Sequence, residues 1–127
     1  MHGTQAVHLR QAEAMTNHVL ATLIAVIFLF SGAVKILGIP QSLAIRDHLG
    51  ISPGLWRSIG VLEWLGVAGL VVGTRIPIAA TFALIGLAFL MAGAMTSRLR
   101  VRDAAWAITM DVAVFGLVVV ALVRHLP

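Results

Sequence analysis

The chain has 127 residues, of which 60% are hydrophobic and 11% charged, with a mean hydropathy of +1.01. A soluble domain carries roughly 25% charged residues, so this composition excludes a water-soluble fold and points to one compact bundle of membrane spans. Cysteine is absent, which removes disulfides, thiolate nucleophiles and Cys-ligated metals, and the net charge of +4 is read as a record of membrane orientation and not of nucleic-acid binding.

Residues 1–17 are mixed and polar without a sustained period, and are expected to form a loose tail or a short interfacial helix. The first span is expected at 18–37, with Lys35 near its far end. Ser31-Gly32-Ala33 faintly resembles a signal-peptidase site, but apolar residues continue past it and three more spans follow, so the expectation is an anchored helix. Gly38 and Pro40 stop it. The stretch 41–50, QSLAIRDHLG, is too short and too charged to cross, and reads as a brief helix lying at the interface. Ser52 as N-cap and Pro53 at the first helical position open a second span at about 54–73. Thr74-Arg75-Ile76 is a turn short enough to force an antiparallel hairpin into the third span, 77–96.

That third span carries Ala79, Ala83, Gly86 and Gly93 on one face, and the second offers Gly66, Gly69 and Gly73. Small residues on facing stripes let helix backbones approach closely where lipid supplies no hydrophobic drive. Close packing within the bundle, or a homo-oligomer formed across this face, would each use them. The basic stretch SRLRVR follows, with Asp103 placed to cap a fourth span at 104–123 that closes on Arg124 and His125. The expected fold is thus an all-α membrane protein: a four-helix transmembrane bundle over 18–125, with a short interfacial helix between the first and second spans.

Lys35, Arg46, Arg57, Arg98, Arg100 and Arg102 lie on the side of the two longer connections, and Arg10, Arg75 and Arg124 on the side of the termini. The excess of cations places the longer connections in the cytoplasm and the termini outside.

The second span contains a carboxylate, Glu63, about seven residues in, or ~10 Å below the membrane edge at ~1.5 Å of rise per residue. An ionisable group at that depth costs roughly 2.5–3.5 kcal/mol on insertion scales, and spanning does not require it. Asp111 lies about as deep in the fourth span, entering from the same side. Lys35 ends the first span on that side, and Ser31 shares its face one turn deeper. Four polar groups from three helices therefore reach one layer. Two readings stay open: Lys35 or Arg57 pairs with Glu63, Asp111 hydrogen-bonds a neighbouring helix and the cluster fixes packing, or the layer lines a cavity in which Ser31, Lys35, Arg57 and Trp64 contact the polar head of an amphiphile while Glu63 and Asp111 donate and accept protons.

His18 and His125 both sit at helix ends on the terminus side, where they could meet as axial haem ligands; interfacial histidines without a cofactor are the commoner case. A metal site built from His2, His8 and His18 is less favoured still. Trp56 and Trp106 read as interfacial anchors, and Trp64 either as a pocket wall or as lipid-facing filler.

These residues together resemble the DoxX-like integral membrane proteins. The matching features are FLFSGAVKILG at the end of the first span, LGISPGL after the interfacial stretch, GVLEWLGVAGLVVG in the second span and the small-residue third span leading to MTSRLRVRD. The elements S-G-x-x-K and G-x-x-E-x-x-G carry over onto Ser31, Gly32, Lys35, Gly60, Glu63 and Gly66. Many relatives have a histidine after the third span where this chain reads Thr96-Ser97-Arg98, so a role resting on that histidine has no counterpart here. The resemblance implies a four-helix bundle in a bacterial plasma (inner) membrane. Some members are similar to membrane subunits of thiosulfate:quinone oxidoreductase, which implies an oxidoreductase partner and a quinone-like ligand. A chain without Cys and without a strong haem or flavin signature is not expected to carry electrons alone. An acid–base catalyst of isomerase or cyclase type acting on an apolar metabolite, with Glu63 or Asp111 moving the proton, and a pure assembly factor are the other readings.

Overall fold

The computed structural model describes residues 2–126, His2 by its backbone only. Five helices follow one another: α1 (His2–Ile36), α2 (Pro40–Leu49), α3 (Pro53–Val72), α4 (Pro77–Arg100) and α5 (Ala105–His125). All but α2 are long and apolar enough to cross a membrane. Helices satisfy their backbone polar groups internally, which a lipid-facing chain requires. Among the described residues there is no strand.

α1 packs on α3, α3 on α4, α4 on α5, and α5 back on α1. The four long helices thus make an up-down-up-down ring with short connections, and α2 lies against the end of α1. Ile24, Phe28, Leu84, Leu87 and Val118 fill the centre and are fully buried. Outward faces remain apolar, with Phe30, Phe82 and Phe89 largely exposed, as a surface solvated by acyl chains allows.

Several boundaries differ from the sequence reading. Residues 2–17 are neither loose nor a separate interfacial helix; they continue α1, because no proline or glycine interrupts the chain between Gly3 and Gly32. At ~1.5 Å per residue α1 is ~50 Å long, well beyond a ~30 Å hydrocarbon core, and residues 3–16 are exposed apart from half-buried Ala6. α4 runs on to Arg100, so Ser97 and Arg98 are helical where a loop was expected.

The end signals otherwise behave as their chemistry dictates. Ser52 accepts a hydrogen bond from the Leu55 N–H at 3.3 Å, with Pro53 as the next residue. Gly50 closes α2 in the left-handed conformation, φ 69°, which only glycine adopts without strain. Ala104, not Asp103, is the N-cap of α5. The Asp103 carboxylate instead accepts the Ala104 N–H at 2.8 Å.

The small-residue stripes face each other only in part. A methyl group on Gly66 would lie 2.6 Å from the Leu87 side chain, and one on Gly69 would lie 2.7 Å from Ala83. Gly86 and Gly93 have open space where a side chain would begin. The expectation that Gly86 lies in the tight contact is therefore corrected: the helix rotation turns it outward.

Candidate functional site

The α1–α3 crossing is set by two glycines. A methyl on Gly32 would meet the Gly60 carbonyl oxygen at 2.8 Å, and one on Gly60 would meet the Gly32 carbonyl oxygen at 2.9 Å. Backbone against backbone at this point brings the residues flanking Gly32 onto the face of α3 that carries Glu63, one turn from Gly60. Lys35 Nζ donates to Glu63 Oε1 at 2.8 Å and to Ser31 Oγ at 2.8 Å, and Ser31 Oγ donates to the same Oε1 at 3.1 Å. Glu63 is only 3% exposed. Its second oxygen, Oε2, is buried with no hydrogen-bond partner among the described residues.

Trp56 completes this corner. Its ring centroid lies 5.1 Å from Lys35 Nζ, a cation–π distance. Its Nε1–H donates to the Ser42 hydroxyl of α2 at 2.9 Å. The expectation of an interfacial anchor is corrected for Trp56, which is 6% exposed and clamps α2 to α3, whereas Trp106 is 74% exposed. Trp64 donates from Nε1 to the Leu29 carbonyl at 3.0 Å and its ring covers Gly32. It seals the α1–α3 seam from outside and is not among the residues lining the neighbouring cavity.

That cavity holds about 410 Å³. Ser31, Lys35 and Glu63 line it together with Trp56, Arg98 and Arg100, the 49–52 connection contributes Leu49 to Ser52, and α4 supplies Phe89, Leu90 and Met91. It is polar where the Glu63 pair and Arg98 stand and apolar along the rest.

Asp111 does not join Glu63. Arg98 Nε donates to Asp111 Oδ2 and Arg98 Nη1 to Asp103 Oδ2, both at 2.6 Å. His48 of α2 approaches Asp103 Oδ1 at 3.2 Å. The Ala104 N–H, and after it the Arg98 guanidinium, hold the Asp103 carboxyl below the ordinary carboxylate value. Asp111 therefore closes a separate network between α4 and α5, with Arg98 as its hub and the one member that also lines the cavity. Arg57 is exposed on α3 and lies outside both groups. The structure brings Ser31, Lys35 and Glu63 together and leaves Asp111, Arg57 and Trp64 elsewhere.

Arg98 and Trp56 were missed as site residues. For Arg98 a signal existed: it and Asp111 stand at nearly equal distances in sequence from Ala104, where the α4–α5 hairpin turns, so an apolar hairpin would set them side by side. Trp56 carried no such mark, because its burial depends on how α2 folds back.

At the opposite end of the bundle His18 and His125 line a cavity of about 250 Å³ with Asn17 and Thr74, and Arg124 Nε donates to Asn17 Oδ1 at 2.7 Å. No group of three His, Asp or Glu that could hold a metal comes together among the described residues; the His2 side chain lies outside them.

The model of the DoxX-like family matches residues 19–122. No curated protein and no solved structure matches the chain.

Proposed function

The chain belongs to the DoxX-like family of integral membrane proteins, and from that premise and the chemistry of the Glu63 corner we propose that it is a small membrane subunit that binds the polar head of a quinone-like amphiphile and serves an oxidoreductase partner. One observation carries this reading. A buried carboxylate has one oxygen held by Lys35 and Ser31 and the other without a protein partner, beside a cavity with apolar walls. A buried acceptor left unmade costs about 1–3 kcal/mol, which packing alone gives no reason to retain. A ligand head that supplies the missing hydrogen bond offsets that cost, and the apolar wall receives the rest of the molecule. Lys35 keeps Glu63 oriented and Arg98 stands at the cavity as a second cation. The membrane is a bacterial plasma membrane, with the cavity end in the cytoplasm and the termini outside.

The same observation favours one other reading, an acid–base catalyst in which Glu63 exchanges a proton with an apolar substrate and Lys35 stabilises the charge that results. The experiment that tests both is Glu63→Gln. The amide keeps the shape and most of the hydrogen bonding, so the variant is expected to fold and to lose hydroquinone binding measured by fluorescence quenching in nanodiscs. A lipid-like product that accumulates only with the unaltered protein selects the catalyst. A Glu63→Gln protein that binds hydroquinone and supports its partner as well as the parent does would sink both and leave an assembly factor.

A further inference from the structure

A second, larger void lies outside the ring, between α3 and α4. It holds about 650 Å³ and its lining is apolar throughout: Leu62, Leu65, Phe82, Leu87 and the small residues Gly69 and Gly86. Its position follows from the helix rotation, which leaves Gly86 with open space in front of it. Phe89 and Leu90 line both this groove and the Glu63 cavity. The polar cavity and the apolar groove are thus adjoining parts of one wall of α4, and Phe89, 74% exposed, stands between them.

Resting on the reading of the Glu63 cavity as a head-group site, we infer that the ligand is a single-chain amphiphile whose head carries an O–H donor, and that its chain leaves the cavity past Phe89 and Leu90 to lie in the α3–α4 groove. Two independent features meet here. The buried Glu63 Oε2 has no hydrogen-bond partner among the described residues, and with Lys35 bonded to Oε1 the carboxylate presents an acceptor, which a hydroxyl satisfies and a bare carbonyl does not. The groove begins where the cavity's apolar wall ends, and small residues at Gly69, Ala83 and Gly86 give it the depth for one chain. A hydroquinone with a hydrocarbon tail has both parts. In lipid the chain gains no hydrophobic transfer energy by entering, so the groove acts by packing and by fixing direction.

The test uses the full chain in nanodiscs and two probes, a hydroquinone bearing a decyl chain and the same hydroquinone without a chain. Gly86→Leu fills the groove at a position with room for the new side chain, so the fold is retained. It is expected to weaken the decyl probe about tenfold and to leave the short probe unchanged, whereas Glu63→Gln weakens both. Equal affinity of Gly86→Leu and parent for the decyl probe overturns the tail path while Glu63→Gln still judges the head site. If Glu63→Gln leaves both probes bound, the head-group reading itself fails. If Gly86→Leu changes the particle's size in solution and not its binding, the groove is an interface between two copies, and the inference is overturned. An oxidised decyl probe that binds as tightly as the reduced one removes the O–H donor from it.

Discussion

Two carboxylate clusters stand at the same end of the bundle and differ in one respect. On the α4–α5 side, Arg98 engages Asp103 and Asp111 at once, the Ala104 N–H engages Asp103 as well, and His48 lies beside it. Those side chains are partly exposed, so water or lipid head groups can reach what the protein leaves open. On the α1–α3 side, Lys35 and Ser31 converge on one oxygen of Glu63 and leave the other buried and unpaired among the described residues. A network that ties two helices together has no use for an orphaned acceptor in an apolar setting, where its cost is greatest. The first cluster pairs its carboxylates as the protein folds, and the second leaves Glu63 Oε2 unpaired among the described residues, which is what the proposed ligand would complete. Charge alone would draw attention to the α4–α5 network, with its two aspartates; counting partners instead favours the Glu63 corner as the candidate.

The comparison breaks most visibly at Lys35. Lys35→Met leaves Glu63 buried without its cation, and removal of one partner from a buried pair costs about 3–5 kcal/mol. A large fall in melting temperature is expected in detergent, and Lys35→Met combined with Glu63→Gln should recover most of it, because the uncompensated charge is gone. A double variant as unstable as Lys35→Met would mean that the lysine stem packing on Trp56 matters more than the charge pair.

Next in size is Gly60→Leu. The new side chain would start 2.9 Å from the Gly32 carbonyl oxygen and 3.0 Å from the Lys35 and Ile36 side chains. Backbone cannot give way there as a side-chain tip can, so the seam opens, at a cost of about 1–3 kcal/mol. Ligand binding at the Glu63 corner should fail along with it. Gly93→Leu serves as the control for stability alone, since nothing lies within 4 Å of its added methyl while Gly93 itself lines the cavity. Equal melting temperatures for the two would show that the α1–α3 crossing is looser than its geometry implies.

These two expectations also show which parts of the site could be read from the chain. Depth along a helix follows from counting residues, so the meeting of Ser31, Lys35 and Glu63 in one layer was legible. Rotation about the helix axis was not legible. Both faces of α4 are apolar, one turned to lipid and one to the core, so hydropathy gave no phase, and Gly86 was placed in the contact when it faces the groove. The same ambiguity left open whether Asp111 shares a cavity with Glu63 or bonds a neighbouring helix, and it turns toward α4 and Arg98. Helix length failed for a related reason: polar residues need not end a helix, and α1 continues through 2–17 while α4 carries Arg98 beyond the expected edge. Trp56 was assigned to the interface because sequence shows its apolar ring, and only the fold shows the Ser42 hydroxyl that buries its Nε1–H.

The smallest effect sharpens the comparison from the other side, at Asp103. This carboxyl lies in the α4–α5 connection, and the Ala104 N–H and Arg98 hold it below the ordinary carboxylate value. A carboxyl depressed in the folded state contributes stability that is fully present above the unfolded value and disappears as pH falls through the folded one. Asp103→Asn should therefore melt below the parent at neutral pH, by a small margin because the site is open to solvent and screened. The margin should hold down to about pH 4 and shrink steadily below it, as the parent loses the same charge. Protonation of other carboxylates shifts both proteins together and cancels in the difference. Binding of the decyl hydroquinone at neutral pH should not change in Asp103→Asn, since Asp103 closes the α4–α5 network and does not line the Glu63 cavity. A variant that keeps its stability but loses the probe would show that Arg98, once released by Asp103, reorganises the cavity, and the two clusters would then be one site.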